Sequence, residues 1–181
     1  MDLYGMFAQG VGIVAMGFNI LSYQQKTRRR AIGFQFFGSL LFALNFFLLG
    51  ATVGAILNLV GTVRAMVYLN KEKLQAQRLS WLLGFVAVYL TSYLLTFTVF
   101  GKEPTLINLI VEFLPVVGMT ATTASFRLTD AGAIRRFGLI SSPTWLIYNI
   151  ANFSIGAICC EVLSLGSILI GILRHDRKKA E

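Results

Sequence analysis

The chain has 181 residues, of which 56% are hydrophobic and only 13% charged, and its formal net charge is +8. A soluble domain carries a charged fraction of about 25%, so this composition, with a mean hydropathy of +0.70, excludes an ordinary soluble enzyme and a disordered chain alike. Cys159 and Cys160 are the only cysteines and are adjacent, which excludes a disulfide scaffold.

The apolar runs are roughly 17–23 residues long, enough for helices to cross about 30 Å of hydrocarbon. They are continuous, where the strands of a membrane barrel would alternate. In chain order the predicted spans are 3–25, 31–49, 51–70, 80–100, 105–125, 137–153 and 154–173. The first lacks a basic leader (it opens Met1, Asp2, Leu3) and is long, so it reads as a retained span rather than a signal peptide. Gly50 divides spans two and three, and Asn152 divides six and seven, each as a tight turn.

The basic residues sit where topology anchors belong. Lys26, Arg28, Arg29 and Arg30 follow span one, and Lys71, Lys73 and Arg78 follow span three. Arg127, Arg135 and Arg136 follow span five, and Arg174, Arg177, Lys178 and Lys179 follow span seven. With seven spans these fourteen all fall on one side. Lys102 stands alone on the other, and Arg64 lies within span three. By the positive-inside rule the N-terminus is expected outside and the C-terminus in the cytoplasm.

The order span, basic loop, span, tight turn, span describes residues 3–70 and again 105–173. Gly54-Ala55-Ile56 returns as Gly156-Ala157-Ile158, and Ala31-Ile32 as Ala133-Ile134, at an offset of 102. An offset of 103 instead pairs Gln9 with Glu112 and Asn58 with Glu161. Three spans reverse the chain's orientation, and a fourth restores it, so the two units would be parallel, a known transporter plan. The expected fold is therefore an all-α integral membrane protein with seven transmembrane helices arranged 3+1+3. Its parts are a first repeat (1–70), a loop with linker helix and outer turn (71–104), a second repeat (105–173) and a basic tail (174–181).

At a rise of about 1.5 Å per residue, Gln9, Asn58, Glu112 and Glu161 lie roughly 9–11 Å in from the outer ends of their spans. Asn45 and Asn149 reach a similar depth, with Asn108 one turn from Glu112. An acid in hydrocarbon costs about 2.5–3.5 kcal/mol on insertion scales, and such a residue is a functional candidate by default. Gln9, Asn45, Asn58 and Asn149 are thus expected to bind substrate, with Glu112 and Glu161 as candidates for proton coupling. The plain reading of each amide is a helix-to-helix hydrogen bond, and of each acid a neutral or Arg-paired structural group. Arg64 either snorkels to the interface, pairs with Glu112 or Glu161, or binds an anionic substrate group. Trp145, with Tyr148, suits stacking on a sugar or ring, or packing. The small residues Gly54, Gly61, Gly156, Cys160 and Ser167 suit close helix packing, and His175 suits a solvated tail.

The stretch Ser22-Tyr23-Gln24-Gln25-Lys26-Thr27-Arg28, then Leu41-Phe42-Ala43-Leu44-Asn45-Phe46, Gly54-Ala55-Ile56-Leu57-Asn58 and Arg64, resembles the YgjV-type bacterial inner-membrane family. That resemblance implies a place, the bacterial inner membrane, but no substrate. The 3+1+3 plan is also similar to the wider PQ-loop/SWEET-like group of sugar facilitators, amino-acid exporters and luminal-peptide receptors, in which a Pro-Gln pair ends the first helix of each repeat. Here Gln24-Gln25 keeps the Gln without the Pro, and Ser125-Phe126 or Phe126-Arg127 in the second repeat keeps neither. The hinge is then expected at Gln25, or at helix breaks from Pro115 and Pro143.

The chain has no Walker A, H-E-x-x-H, C-x-x-C or G-x-S-x-G sequence. The expectation is a non-enzymatic transporter without cofactor or metal. It would move a small polar solute by alternating access, with proton coupling at Glu112 or Glu161. Its partners would be the lipid bilayer and the solute, not nucleic acid, and it would work as a monomer or homo-oligomer. The alternatives are a ligand-binding receptor and a structural or accessory subunit of the same fold.

Overall fold

The computed structural model describes residues 3–48, 52–151 and 155–176. The described residues form seven helices and no strand: α1 (Leu3–Tyr23), α2 (Arg28–Leu48), α3 (Thr52–Leu69), α4 (Leu79–Thr98), α5 (Leu106–Arg127), α6 (Ala131–Ala151) and α7 (Ile155–His175). Helices are what an apolar chain forms in lipid, because they satisfy every backbone group within the segment. The predicted turns at Gly50 and Asn152 and the basic tail from Arg177 onward lie outside the described residues.

Five helices are long and apolar enough to cross a membrane by length and composition: α1, α2, α4, α5 and α7. In α3 the apolar stretch is shorter, Ala55–Leu69. Polar groups dilute α6, which carries Arg135, Arg136, Ser141, Ser142 and Asn149. It can bury Arg135, Ser141, Ser142 and Asn149 because it packs between α5 and α7 and also touches α2, so protein rather than lipid solvates them.

The predicted boundaries fail most at basic residues. Helix α6 begins at Ala131 rather than 137, and α2 at Arg28 rather than 31. Charge is easily mistaken for loop. Here Thr27 opens α2 by accepting from the Arg30 backbone N–H at 3.4 Å, and the arginines enter the first turns. Thr105 opens α5 in the same way, accepting from the Asn108 backbone N–H.

Helix α2 lies between α1 and α3, and α6 between α5 and α7. The two groups meet along α1 and α7, α2 and α6, and α3 and α5, while α4 packs on α5. The starts of α5, α6 and α7 each lie 103 residues after those of α1, α2 and α3. Large apolar side chains such as Phe7, Phe47, Ile107 and Leu163 are exposed, whereas Ala8, Ala15, Ala65, Ser22, Ser125 and Ser164 are buried. Small groups inside and bulky ones outside is the arrangement of helices packed in lipid. An aromatic cluster knits α3, α4 and α5: Tyr68 packs on Phe85 and Phe126, and Phe85 stacks on Tyr89.

Candidate functional site: a cleft above a buried arginine

A cleft opens where α3, α4, α5 and α6 approach one another. Its walls include Tyr89, Ser92, Tyr93 and Thr96 of α4, Glu112, Pro115 and Met119 of α5, and Tyr148 of α6. The helical period explains the α4 wall, since Tyr89, Ser92, Tyr93 and Thr96 recur at three- and four-residue spacing along one face. Lys102, in the turn before α5, forms an ion pair with the buried Glu112 carboxylate. The Lys102 backbone N–H donates to the Thr96 carbonyl at 3.2 Å, which folds this turn back over the end of α4.

Beneath the cleft lies Arg64 of α3, only 7% exposed. Its Nη1 donates to the Tyr89 hydroxyl at 3.4 Å and to the Met119 carbonyl at 3.5 Å. Its guanidinium carbon stands 5.2 Å from the centre of the Phe126 ring. The Tyr89 hydroxyl also bonds the Thr123 hydroxyl at 2.9 Å. Arg64 therefore neither snorkels nor pairs with Glu112 or Glu161. It is buried, and its described contacts are a hydroxyl, a carbonyl and an aromatic face.

The two acids occupy different surroundings. Glu161 on α7 lies close to the Ser142 side chain of α6. Tyr23 of α1 lies close to Ser142 as well, with Glu161 and Arg64 nearby. The Tyr23 ring fits against Gly138, where an added Cβ would come 3.0 Å from its Cε1. This second cluster lies along the closely packed contact of α1, α6 and α7. There the Gln24 side chain donates to the Ser167 carbonyl at 2.6 Å, and the Ser167 hydroxyl donates to the Ile20 carbonyl at 2.7 Å.

The single layer expected from depth is thus divided. Gln9 is exposed on the outer surface of α1, because a depth calculation is blind to direction around the helix. The neighbouring Ala8 is buried, and its carbonyl accepts from the Asn45 side chain at 2.7 Å. Asn45 is therefore a tie between α1 and α2. Asn58 is half-buried on α3, and Asn149 is buried on α6. Trp145 and Tyr148 pack edge-to-face with centroids 5.7 Å apart. Tyr148 lines the cleft, and Trp145 fills space left by Gly118, where an added Cβ would come 3.1 Å from the indole.

Neither Pro115 nor Pro143 interrupts its helix. The Gln25 side chain turns back to the Leu21 carbonyl at 3.0 Å, whereas its neighbour Gln24 reaches across to α7. His175 is docked rather than free in solvent, with Nε2 3.1 Å from the Gln24 carbonyl.

The basic side chains hold one end of the bundle together. Arg28, at the start of α2, donates to the Phe126 carbonyl at the end of α5 (2.8 Å from Nε) and to the Tyr68 carbonyl at the end of α3 (3.0 Å). Arg135, near the start of α6, donates to the Tyr23 carbonyl at the end of α1 (3.3 Å), to the Gln25 carbonyl (2.9 Å) and to Asp176 just beyond α7 (3.0 Å from Nε). Each guanidinium satisfies orphan carbonyls at helix C-termini. Lys71 donates to the Arg127 carbonyl. Burial first, then Arg28 and Arg127, hold its ammonium below the usual lysine range.

Sequence reasoning missed Tyr23, Tyr89, Ser142 and Lys102, and it counted Arg28 and Arg135 as topology charges alone. Lys102 carried a signal, being the single cation of its side. The tyrosines carried none among so many aromatics. Among the described residues no three His, Cys, Asp or Glu side chains come together to hold a metal ion.

The model of the Imp-YgjV family, described as bacterial inner membrane protein, matches residues 6–179. The chain belongs to this family. The comparisons with curated proteins and with solved structures return no match. Membership in Imp-YgjV places the molecule in the bacterial inner membrane, where its exposed Phe, Leu and Ile side chains meet acyl chains rather than water.

Proposed function

We propose that this Imp-YgjV protein is a carrier for a small polar solute. It would work by alternating access of two parallel three-helix repeats, 1–70 and 105–173, with α4 as the linker between them. The observation that carries the reading is the cleft itself. Its mostly apolar wall carries Ser92, Thr96, Glu112 and three tyrosines, it lies where α3 of the first group meets α5 of the second, and two of its wall residues, Tyr89 and Met119, hold the buried Arg64. Two further facts favour paired repeats. The helix starts recur at a spacing of 103 residues, and Arg28 and Arg135 reach across in reciprocal fashion, each to a helix end of the other group. In this reading the protein is a relative of the PQ-loop/SWEET-like group, with its N-terminus outside and its basic end in the cytoplasm. The described conformation is then the one closed at the basic end.

Proton coupling is assigned to Glu161. Its carboxyl lies near the Ser142 and Tyr23 side chains, where α7, α6 and α1 meet. Glu112 serves the cleft through its pair with Lys102. A receptor that captures ligand without passage is the second reading, favoured by the dense tying of the basic end.

The test is uptake of a labelled metabolite mixture into proteoliposomes under an imposed pH gradient. The parent should accumulate a solute. Glu161→Gln should lose the dependence on the gradient while still binding, and Glu112→Gln should lose affinity. Binding without flux in the parent would favour the receptor, and unchanged behaviour in both variants would remove the assigned roles.

A further inference from the structure

The Arg64 guanidinium is a buried cation whose pairing is incomplete. Its Nε has no hydrogen-bond partner. Its two Nη1 contacts, at 3.4 and 3.5 Å, lie at the long limit for N–H···O bonds. Among the described residues it forms no ion pair. The ion pairs among the described residues are Lys102 with Glu112, Arg135 with Asp176, and Arg136 with Asp130. Lysine in such a place would shed its proton, but arginine does not. A fixed, buried positive charge is expensive unless it is paired. The Phe126 face offsets part of that cost.

We infer that the cleft binds a small organic carboxylate whose charge completes the pairing of Arg64. The inference rests on the cleft being the solute site. The geometry supports the class of ligand in three ways. The two groups that hold Nη1, the Tyr89 hydroxyl and the Met119 carbonyl, belong to residues that also line the cleft. The Tyr89 hydroxyl gives its own proton to Thr123, whose proton goes in turn to the Met119 carbonyl, so a carboxylate arriving at that floor gains the guanidinium by displacing the 3.4 Å contact. Above the floor, Tyr93 and Tyr148 offer ring faces, and Ser92 and Thr96 offer hydroxyls, a wall suited to an apolar or hydroxylated body. Glu112 does not repel the anion, because Lys102 neutralises it.

The test uses the purified full chain in neutral detergent and chloride-free buffer. Thermal unfolding is followed against benzoate and its uncharged isostere benzamide, with acetate, lactate, 4-hydroxybenzoate, inorganic phosphate and short-chain phosphatidylglycerol as further arms. Benzoate or another carboxylate should raise the midpoint by roughly 3–5 °C for each tenfold increase above half-saturation, and benzamide should not. Arg64→Gln should abolish the shift. Ser92→Phe, at a half-buried position of the wall, should fill the cleft and abolish it in a protein of unchanged helicity, which covers the case in which Arg64→Gln fails to fold. An equal shift with benzamide, a shift retained in Arg64→Gln, no shift with any carboxylate, or stabilisation by phosphate or phosphatidylglycerol alone would overturn the inference. Carboxylate binding without flux overturns the carrier and leaves this site standing. Flux of a neutral solute without carboxylate binding does the reverse.

Discussion

A methyl group at Gly171 would sit 2.5 Å from the Tyr23 carbonyl oxygen and 2.8 Å from Cδ of Arg135. Backbone cannot yield as a flexible side chain does, so Gly171→Ala must push α1 and α7 apart. Overpacking of this kind costs about 1–3 kcal/mol. On the same helix Gly166 has nothing within 4 Å of an added Cβ, and there Ala should be neutral or stabilising by about 0.5–1 kcal/mol through its better helix propensity. Reversible unfolding in mixed micelles should separate the two variants in this order. Asn45 teaches a related lesson about reading polarity from sequence. Its depth singled it out, but its amide is spent on the Ala8 carbonyl. Depth is legible because the helical rise is fixed. Direction around the helix is not, because it depends on which neighbour the fold brings alongside. Gln9 and Ala8 show this in adjacent positions, one exposed and one buried.

At the scale of the helix, ends matter more than middles. Arg135 is 3% exposed at its side chain and Asp176 is 17% exposed, so their ion pair is largely shielded from water. Arg135→Gln and Asp176→Asn should each destabilise the fold. The double variant should lose less than the sum of the two, with a coupling of about 1–3 kcal/mol in a double-mutant cycle. Additive losses would show that the Tyr23 and Gln25 carbonyls, rather than Asp176, are what Arg135 serves. These ends are also where the sequence was hardest to read. A hydropathy window places Arg28 and Arg135 in loops, whereas both lie within helices. The charge looked like an interruption because its partners are carbonyls 98 and 112 residues away, which no local pattern contains.

For the whole molecule, helix number and the clustering of charge at one end were legible, because lipid demands continuous apolar segments and both signals accumulate over many residues. The division of the polar groups between the cleft and the Tyr23–Ser142–Glu161 cluster was not, since it is set by how helices pack. Orientation in the membrane is open to direct measurement. In a Cys159→Ser/Cys160→Ala background, Gln77→Cys should react with an impermeant maleimide only in inverted vesicles, and Glu103→Cys only in intact spheroplasts. Both positions are exposed, the first at the basic end and the second at the opposite end. The reverse pattern would place the basic end outside.

The reciprocal arginine ties also bear on how the molecule is made. When α1 to α3 emerge from the ribosome, Arg28 still lacks its acceptor at Phe126, and the Tyr23 carbonyl still lacks its donor at Arg135. Neither half can finish its own termini, so maturation waits on the last helices, and a truncated nascent chain would present the insertion machinery with an uncapped, recognisably incomplete product.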